Sequence, residues 1–337
     1  MQLDVAFMPS GNLGHDLEAV KRAEQLGFDA VWVTEAAHNP FFPLTLAAKE
    51  TSRIRLGAQG ALAFPRSPMV TAQIAWDLAR QSEGRFALGL GARTPTHSAG
   101  VRSDEWEDTV GRMREYIESL RAIWNTFQTD ARLRYRGQYY RFRLMAPFFN
   151  PGPISHPAIP IYLDGVNPEM CWLAAETCQG LHAAEIHTVA YLRDVVIPAI
   201  DEGLRTADRS RSEFTLVLPI LVISGANEVE QQRAAKTVRE RIAYCAAIPE
   251  HRRIMAQHGW ESLAQELITL ARDKRWNEMR NAIRDDIIEE IAIVTEPRHV
   301  YSRIMERYDG LADRVCLLLH AGSIELCEAI AAGRDSF

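Results

Sequence analysis

The chain is 337 residues long, 47% hydrophobic and 24% charged, with a formal net charge of −6. That is enough apolar material for one large core or two medium ones. The acidic balance excludes the basic footprint of a nucleic-acid or anionic-membrane binder, and the longest apolar runs fall far short of the roughly 20 residues of a membrane span. The amino terminus, Met1-Gln-Leu-Asp4, lacks the basic region of a signal peptide. Five cysteines, Cys171, Cys178, Cys245, Cys316 and Cys327, show no CxxC spacing, so neither a disulfide frame nor a zinc site is indicated. The expected setting is the cytoplasm, with a small molecule as partner.

In chain order, strands are expected at Leu3–Pro9, Asp29–Glu35, Ile54–Gly60, Phe86–Gly91, Ile159–Gly165, Gly180–Ile186, Thr215–Ser224 and Arg314–Leu319. Most are continuous apolar runs, as parallel strands covered on both faces require. Helical patterns lie between them, at His15–Leu26, Met69–Gln81 and Pro168–Thr177. Trp106, Val110, Met113, Ile117, Leu120, Trp124 and Phe127 form one apolar stripe at helical spacing. Eight strand–helix units predict an α/β fold of the (β/α)8 TIM-barrel class; an open doubly wound sheet is the alternative. Two stretches break the rhythm. After the fourth strand, about 128–158, Leu133–Phe142 reads as a hairpin turning at Arg136-Gly137 and leading into Pro147-Phe-Phe-Asn-Pro-Gly-Pro153. After the seventh strand, about 228–290, a long helical insertion is divided by Pro249. Both keep aliphatic and aromatic residues, so they are expected to cover the barrel mouth or build a subunit contact within a single domain.

Gly57-Ala-Gln-Gly60 and Gly89-Leu-Gly91 end the third and fourth strands in glycine-rich backbone. Glycine lets a flat ligand approach the main chain, and ligands of parallel α/β proteins sit at the carboxyl ends of the strands. A planar cofactor at the barrel mouth is therefore expected around Gln59, Gly60, Ala61, Gly91 and Ala92. The same glycines would also serve merely to relieve crowding. Gly165, Val166 and Asn167 lie where the fifth strand enters its helix; Pro168 suits the first turn, and free amides there favour an anion. Gly89-x-Gly91-x-x-Thr94 lacks the third glycine of a dinucleotide fingerprint, which argues against a nicotinamide cofactor.

Acid–base candidates stand at strand ends: Glu35, His38, His97, Glu185 and His187. Burial at a barrel mouth would tune such groups toward neutral pH. His182, Glu185 and His187 do not form a metal site on this reading, because on a strand residue 182 faces away from 185 and 187.

Taken together, Ala30-Val-Trp-Val-Thr-Glu35, Pro40-Phe-Phe-Pro-Leu-Thr-Leu-Ala-Ala48, Pro65-Arg-Ser-Pro-Met-Val-Thr-Ala-Gln73 and Gly84-Arg-Phe-Ala-Leu-Gly-Leu-Gly91 resemble the luciferase-like monooxygenase superfamily in order and spacing. Arg112-Met-Arg-Glu-Tyr116, Leu120-Arg-Ala-Ile-Trp124 and Tyr191-Leu-Arg-Asp-Val-Val196 resemble the branch assigned to the deazaflavin coenzyme F420. The resemblance implies a TIM barrel, a flavin-like cofactor at the carboxyl end of the strands, and a homodimer. It implies that the ring rests on a bulge after the third strand, often with a non-proline cis peptide, mapping here to Gln59-Gly60-Ala61. It also places the cofactor phosphate near Gly165–Asn167. Sugar-phosphate dehydrogenases of the superfamily carry an Asp-His pair at the end of the second strand, where this chain has Glu35-Ala36. Proton transfer is therefore expected from Glu185 and His187, with His187 as the general acid.

The function expected is hydride transfer between F420 and a small organic substrate. The alternatives are an FMN-dependent monooxygenase fed by a separate reductase, and a non-redox TIM-barrel lyase or isomerase.

Overall fold

Continuous apolar runs with glycine and proline at their ends give eight short parallel strands. They are β1 (Gln2–Phe7), β2 (Ala30–Thr34), β3 (Arg55–Leu62), β4 (Phe86–Gly91), β5 (Ile161–Gly165), β6 (Gly180–Ala183), β7 (Thr215–Ile220) and β8 (Arg314–Leu319). The structure is a computed structural model and describes residues 1–92, 108–319 and 324–335. Each strand pairs with the next, and β8 closes on β1 from Gln2↔Arg314 to Phe7↔Leu319, giving the expected closed barrel.

The surrounding helices start where side chains satisfy their first amides. Asn12 caps α1 (Leu13–Gln25), Ser67 caps α3 (Pro68–Gln81) and Asn167 caps α5 (Pro168–Thr177); proline opens the last two. α2 (Phe41–Glu50) and α4 (Thr109–Thr129) complete the first half. The apolar stripe becomes the buried face of α4 from Met113 to Phe127; Trp106 lies outside the described residues.

Inside the barrel, alternate residues form a second, smaller core of Ala6, Ala30, Trp32, Ala87, Tyr162, Val217 and Cys316. Below it, buried Asp4 accepts hydrogen bonds from Trp32 Nε1 (2.9 Å) and Arg314 Nε (2.8 Å). This ion pair plugs the floor, so the open end is the carboxyl end.

The first excursion contains the expected hairpin, Tyr135–Arg136 against Arg141–Phe142, closed by Gly137 N donating to Tyr140 O at 2.9 Å. After β7 the chain does not continue as barrel strand: Val222–Ile223 pairs instead with Ile293–Val294. Between those two segments lie helices with an apolar core of their own, beginning with α6 (Glu228–Ala246) and reaching a short turn at Pro249. Ile186 and Leu221 belong to that core and join it to the barrel.

Candidate active site

The carboxyl-end mouth is lined by the last inward residues of the strands. Thr34 stands two residues beyond Trp32 on β2, and its Oγ1 donates to Gln59 Oε1 at 3.3 Å. Between β3 and β4 the register slips, with Ala58↔Leu88 followed by Ala61↔Leu90. This is the expected bulge, and it is built by Gly60 at φ +62°. A Cβ at Gly60 would lie 2.5 Å from Asp164 Oδ2, and one at Gly91 would lie 3.1 Å from the Gly60 Cα. Only bare backbone fits here. The expected cis peptide is absent: every described peptide bond is trans, because glycine reaches the left-handed region without one.

Two groups meet beside this bulge: Asp164, and His182, which the sequence reading weighed only as a metal ligand. Asp164 on β5 and His182 on β6 are neighbours in register, with Oδ1 and Nδ1 3.5 Å apart. His182 is 0% exposed, with its ring edge-on to Trp32 at 4.3 Å and tilted over Tyr162 at 5.4 Å. Among the described residues, Asp164 Oδ1 and both His182 ring nitrogens are buried without a hydrogen-bond partner. Buried polar atoms are almost always satisfied, so this pair stands out among the polar groups at the carboxyl ends of the strands. A signal was present: His182 is two residues from Gly180, whose Cβ would strike Tyr162 at 2.2 Å, so both share the inner face.

The groups expected to do acid–base work are placed elsewhere or already engaged. Glu35 accepts Leu62 N (2.8 Å) and both terminal nitrogens of Arg66 (2.7 and 2.6 Å), clamping the loop after β3 to the end of β2. His38 is exposed on the loop after β2, its ring against Gly11. His97 lies outside the described residues. β6 ends at Ala183, so Glu185 and His187 do not close a strand or share a strand face; this corrects the expectation for both. Glu185 instead pairs bidentately with Arg241 of α6, in the helical excursion. His187 is buried against the Tyr308 ring with Nδ1 2.7 Å from Ala184 O, and burial pulls its pKa down to about 4. A ring with that pKa is neutral at pH 7, with Nδ1 placed to donate to Ala184 O.

Several glycines also answer to packing. A Cβ at Gly57 would lie 2.1 Å from Trp32, one at Gly89 2.1 Å from Ala58 O, and one at Gly165 2.5 Å from Leu181 Cδ1. Relief of crowding explains these three and Gly91, whose Cβ would press on the Gly60 backbone; Gly60 is set apart by its left-handed φ. At the start of α5, Asn167 Oδ1 accepts Met170 N at 2.9 Å and Val166 O accepts the Tyr191 hydroxyl at 2.8 Å. Ala92 packs against the outer core. Among the described residues no three His, Cys, Asp or Glu side chains converge as a metal site, and no helix is long and apolar enough to cross a membrane.

The residues present fit a flat cofactor. The Gly60 bulge brings backbone without a Cβ beside Asp164 and His182, whose Oδ1 and ring nitrogens have no hydrogen-bond partner among the described residues. Sequence comparison agrees with that fit. An uncharacterized protein of Mycobacterium tuberculosis is 34% identical over 317 residues, spanning 94% of this chain and 93% of that one. A putative coenzyme F420-dependent oxidoreductase of the same organism is 27% identical over 333 residues, spanning 94% and 93%. Among solved structures, the coenzyme F420 dependent tetrahydromethanopterin reductase of Methanopyrus kandleri superposes with a TM-score of 0.81 at 20% identity, covering 98% of this chain and 97% of that one. Residues 3–314 match the family described as luciferase-like monooxygenase, and the chain belongs to it.

Proposed function

We propose that this protein is an oxidoreductase that moves a hydride between F420 and a small organic substrate. The observation that carries the reading is the glycine bulge at Gly60, facing the unsatisfied Asp164–His182 pair at the open end of the barrel. The 27% identity to a putative F420-dependent oxidoreductase across nearly the whole chain supports F420 within the family. Bound there, F420 supplies a hydride donor or acceptor that reacts poorly with oxygen, because carbon replaces the flavin's reactive nitrogen. The chain's own part is to press the ring with the backbone of Gln59–Ala61, to hold that bulge through the Glu35–Arg66 clamp, and to present polar atoms at the mouth.

Titration of the purified protein with F420 and with FMN, followed by fluorescence, tests this directly. F420 is expected to bind at least tenfold more tightly. Equal or reversed affinities would replace the reading with the FMN-dependent one.

The protein is also proposed to work as a homodimer. Phe42 on α2, Val70 on α3, and Phe148 and Phe149 after the hairpin are 62%, 47%, 90% and 58% exposed. Such side chains are costly to leave in water, and a second copy would cover them. Light scattering that returns a monomer mass at micromolar concentration would remove this part of the proposal.

A further inference from the structure

We propose that Asp164 and His182 hold one exchangeable proton between them and deliver it to the substrate at the barrel mouth. Asp164 is the catalytic residue and His182 the positioning residue behind it. The substrate class that follows is a polarised double bond, C=O, C=N or C=C conjugated to a carbonyl. This rests on the hydride-transfer reading above.

Three observations support the assignment. The pair faces inward on adjacent strands, at the height of the Gly60 bulge, where a Cβ would touch Asp164 Oδ2. Asp164 is 24% exposed and reaches the mouth, whereas His182 is fully enclosed and can act only through its neighbour. Their facing atoms, Oδ1 and Nδ1, are 3.5 Å apart and bonded to nothing else. A small inward movement makes the hydrogen bond, and apo sites often hold such pairs slightly long.

The surroundings leave the pair to itself. Trp32 and Tyr162 pack on the imidazole as neutral rings. Deeper in the barrel Asp4 and Arg314 are paired with each other, and burial keeps Cys316 a thiol. Thr34 and Gln59, across the mouth, are bonded to each other. No other element packed on the pair brings it a charge among the contacts described.

The step balances. The acceptor takes a hydride at carbon and the pair's proton at its heteroatom or, for a conjugated alkene, on the enolate it becomes. One C–H bond and one second bond to hydrogen form, the double bond is lost, and the two electrons come from the reduced cofactor. The pair leaves the step one proton short, with Asp164 as carboxylate and His182 as neutral imidazole, and His182 Nδ1 regains that proton from solvent.

Ring-nitrogen NMR of the free protein tests the pair without any cofactor. Nδ1 of His182 should carry a proton, and its resonance should move in Asp164→Asn. A bare Nδ1, or an Nδ1 resonance that Asp164→Asn leaves unchanged, overturns the proposal whatever binds at the mouth. In the presence of reduced F420, cyclohexanone, cyclohex-2-en-1-one and a cyclic imine serve as probe acceptors. At saturating F420, Asp164→Asn should reduce the accepted probe about 10²–10⁴ times more slowly. His182→Asn should lower kcat with KM little changed and shift its pH profile. An unchanged rate in Asp164→Asn overturns the catalytic role, and a wild type that binds F420 but reduces none of the three probes overturns the substrate class. A wild type that fails to bind F420 removes the hydride-transfer reading instead, and the NMR result still decides the pair.

Discussion

The indole of Trp32 occupies the space that any side chain at position 57 would need: a Cβ there would lie 2.1 Å from Cε3 of the ring. Trp32 is 3% exposed and hydrogen-bonded at its far end to Asp4, so it cannot swing away. Gly57→Ala is therefore an overpacking change, expected to cost about 1–3 kcal/mol and to lower the urea midpoint without altering the barrel. Combining it with Trp32→Leu should recover part of the loss, since the two sites share one volume. A midpoint equal to that of the wild type would mean that the inner core yields freely at this level.

The Glu35–Arg66 clamp makes a second prediction. Their side chains are 11% and 18% exposed, and Glu35 also holds the Leu62 amide, so the carboxylate fixes the end of the bulged strand. Glu35→Gln keeps the shape but leaves Arg66 uncompensated, at an expected cost of about 1–3 kcal/mol. Because the clamp sits behind Gln59–Ala61, F420 affinity should weaken about tenfold while the rate at saturating cofactor stays near normal. A fall in turnover with affinity intact would instead give Glu35 a direct chemical role.

How far these relationships could be read in advance depends on where each partner lies. The barrel was legible because its strands are unbroken apolar runs, and helices such as α5 announce themselves through Asn167-Pro168. The end of β6 was not, because Ala184 and Ile186 keep the apolar character while the chain turns to underlie the helical excursion. Glu35 and Glu185 read as free acids because their arginines lie 31 and 56 residues away. Asp164 and His182 were not read as a pair for a different reason. Alternation assigns two faces to a strand but does not say which one is inside until a packed neighbour fixes it, here Tyr162 against Gly180.

Glu185 and Arg241 join the barrel to α6 of the excursion, and they are 7% and 19% exposed. Removing one member of such a pair leaves a desolvated charge, which costs about 3–5 kcal/mol, whereas replacing both by apolar groups is often tolerated. Glu185→Ala should therefore speed amide exchange across Glu228–Ala246 while the strands stay protected. Glu185→Leu with Arg241→Met should restore much of that protection. Exchange in α6 that ignores both substitutions would show that the apolar contacts of Ile186 and Leu221 hold the excursion without help.

His187 provides the clearest pH dependence. Burial drives its folded-state pKa to about 4 from the ordinary 6.5, so the native protein holds this ring neutral. The unfolded chain takes up a proton as pH falls below 6.5, while the folded chain resists until about 4. The unfolded state binds more protons across that window, so the native state loses stability as pH drops through it and regains nothing below. The shift corresponds to about 3 kcal/mol, to order of magnitude. His187→Gln removes the titration at the cost of the ring's contacts with Ala184 O and Tyr308, about 1 kcal/mol at pH 7. Urea midpoints of the two proteins should therefore converge or cross between pH 6.5 and 4, with the wild type falling more steeply. Turnover at neutral pH should hold near the wild-type level, because a ring with a pKa of about 4 is not an imidazolium at pH 7 and its Nδ1 is engaged with Ala184 O. Parallel stability curves would place the His187 pKa near its ordinary value, and a hundredfold loss of turnover at unchanged stability would return it to the chemistry.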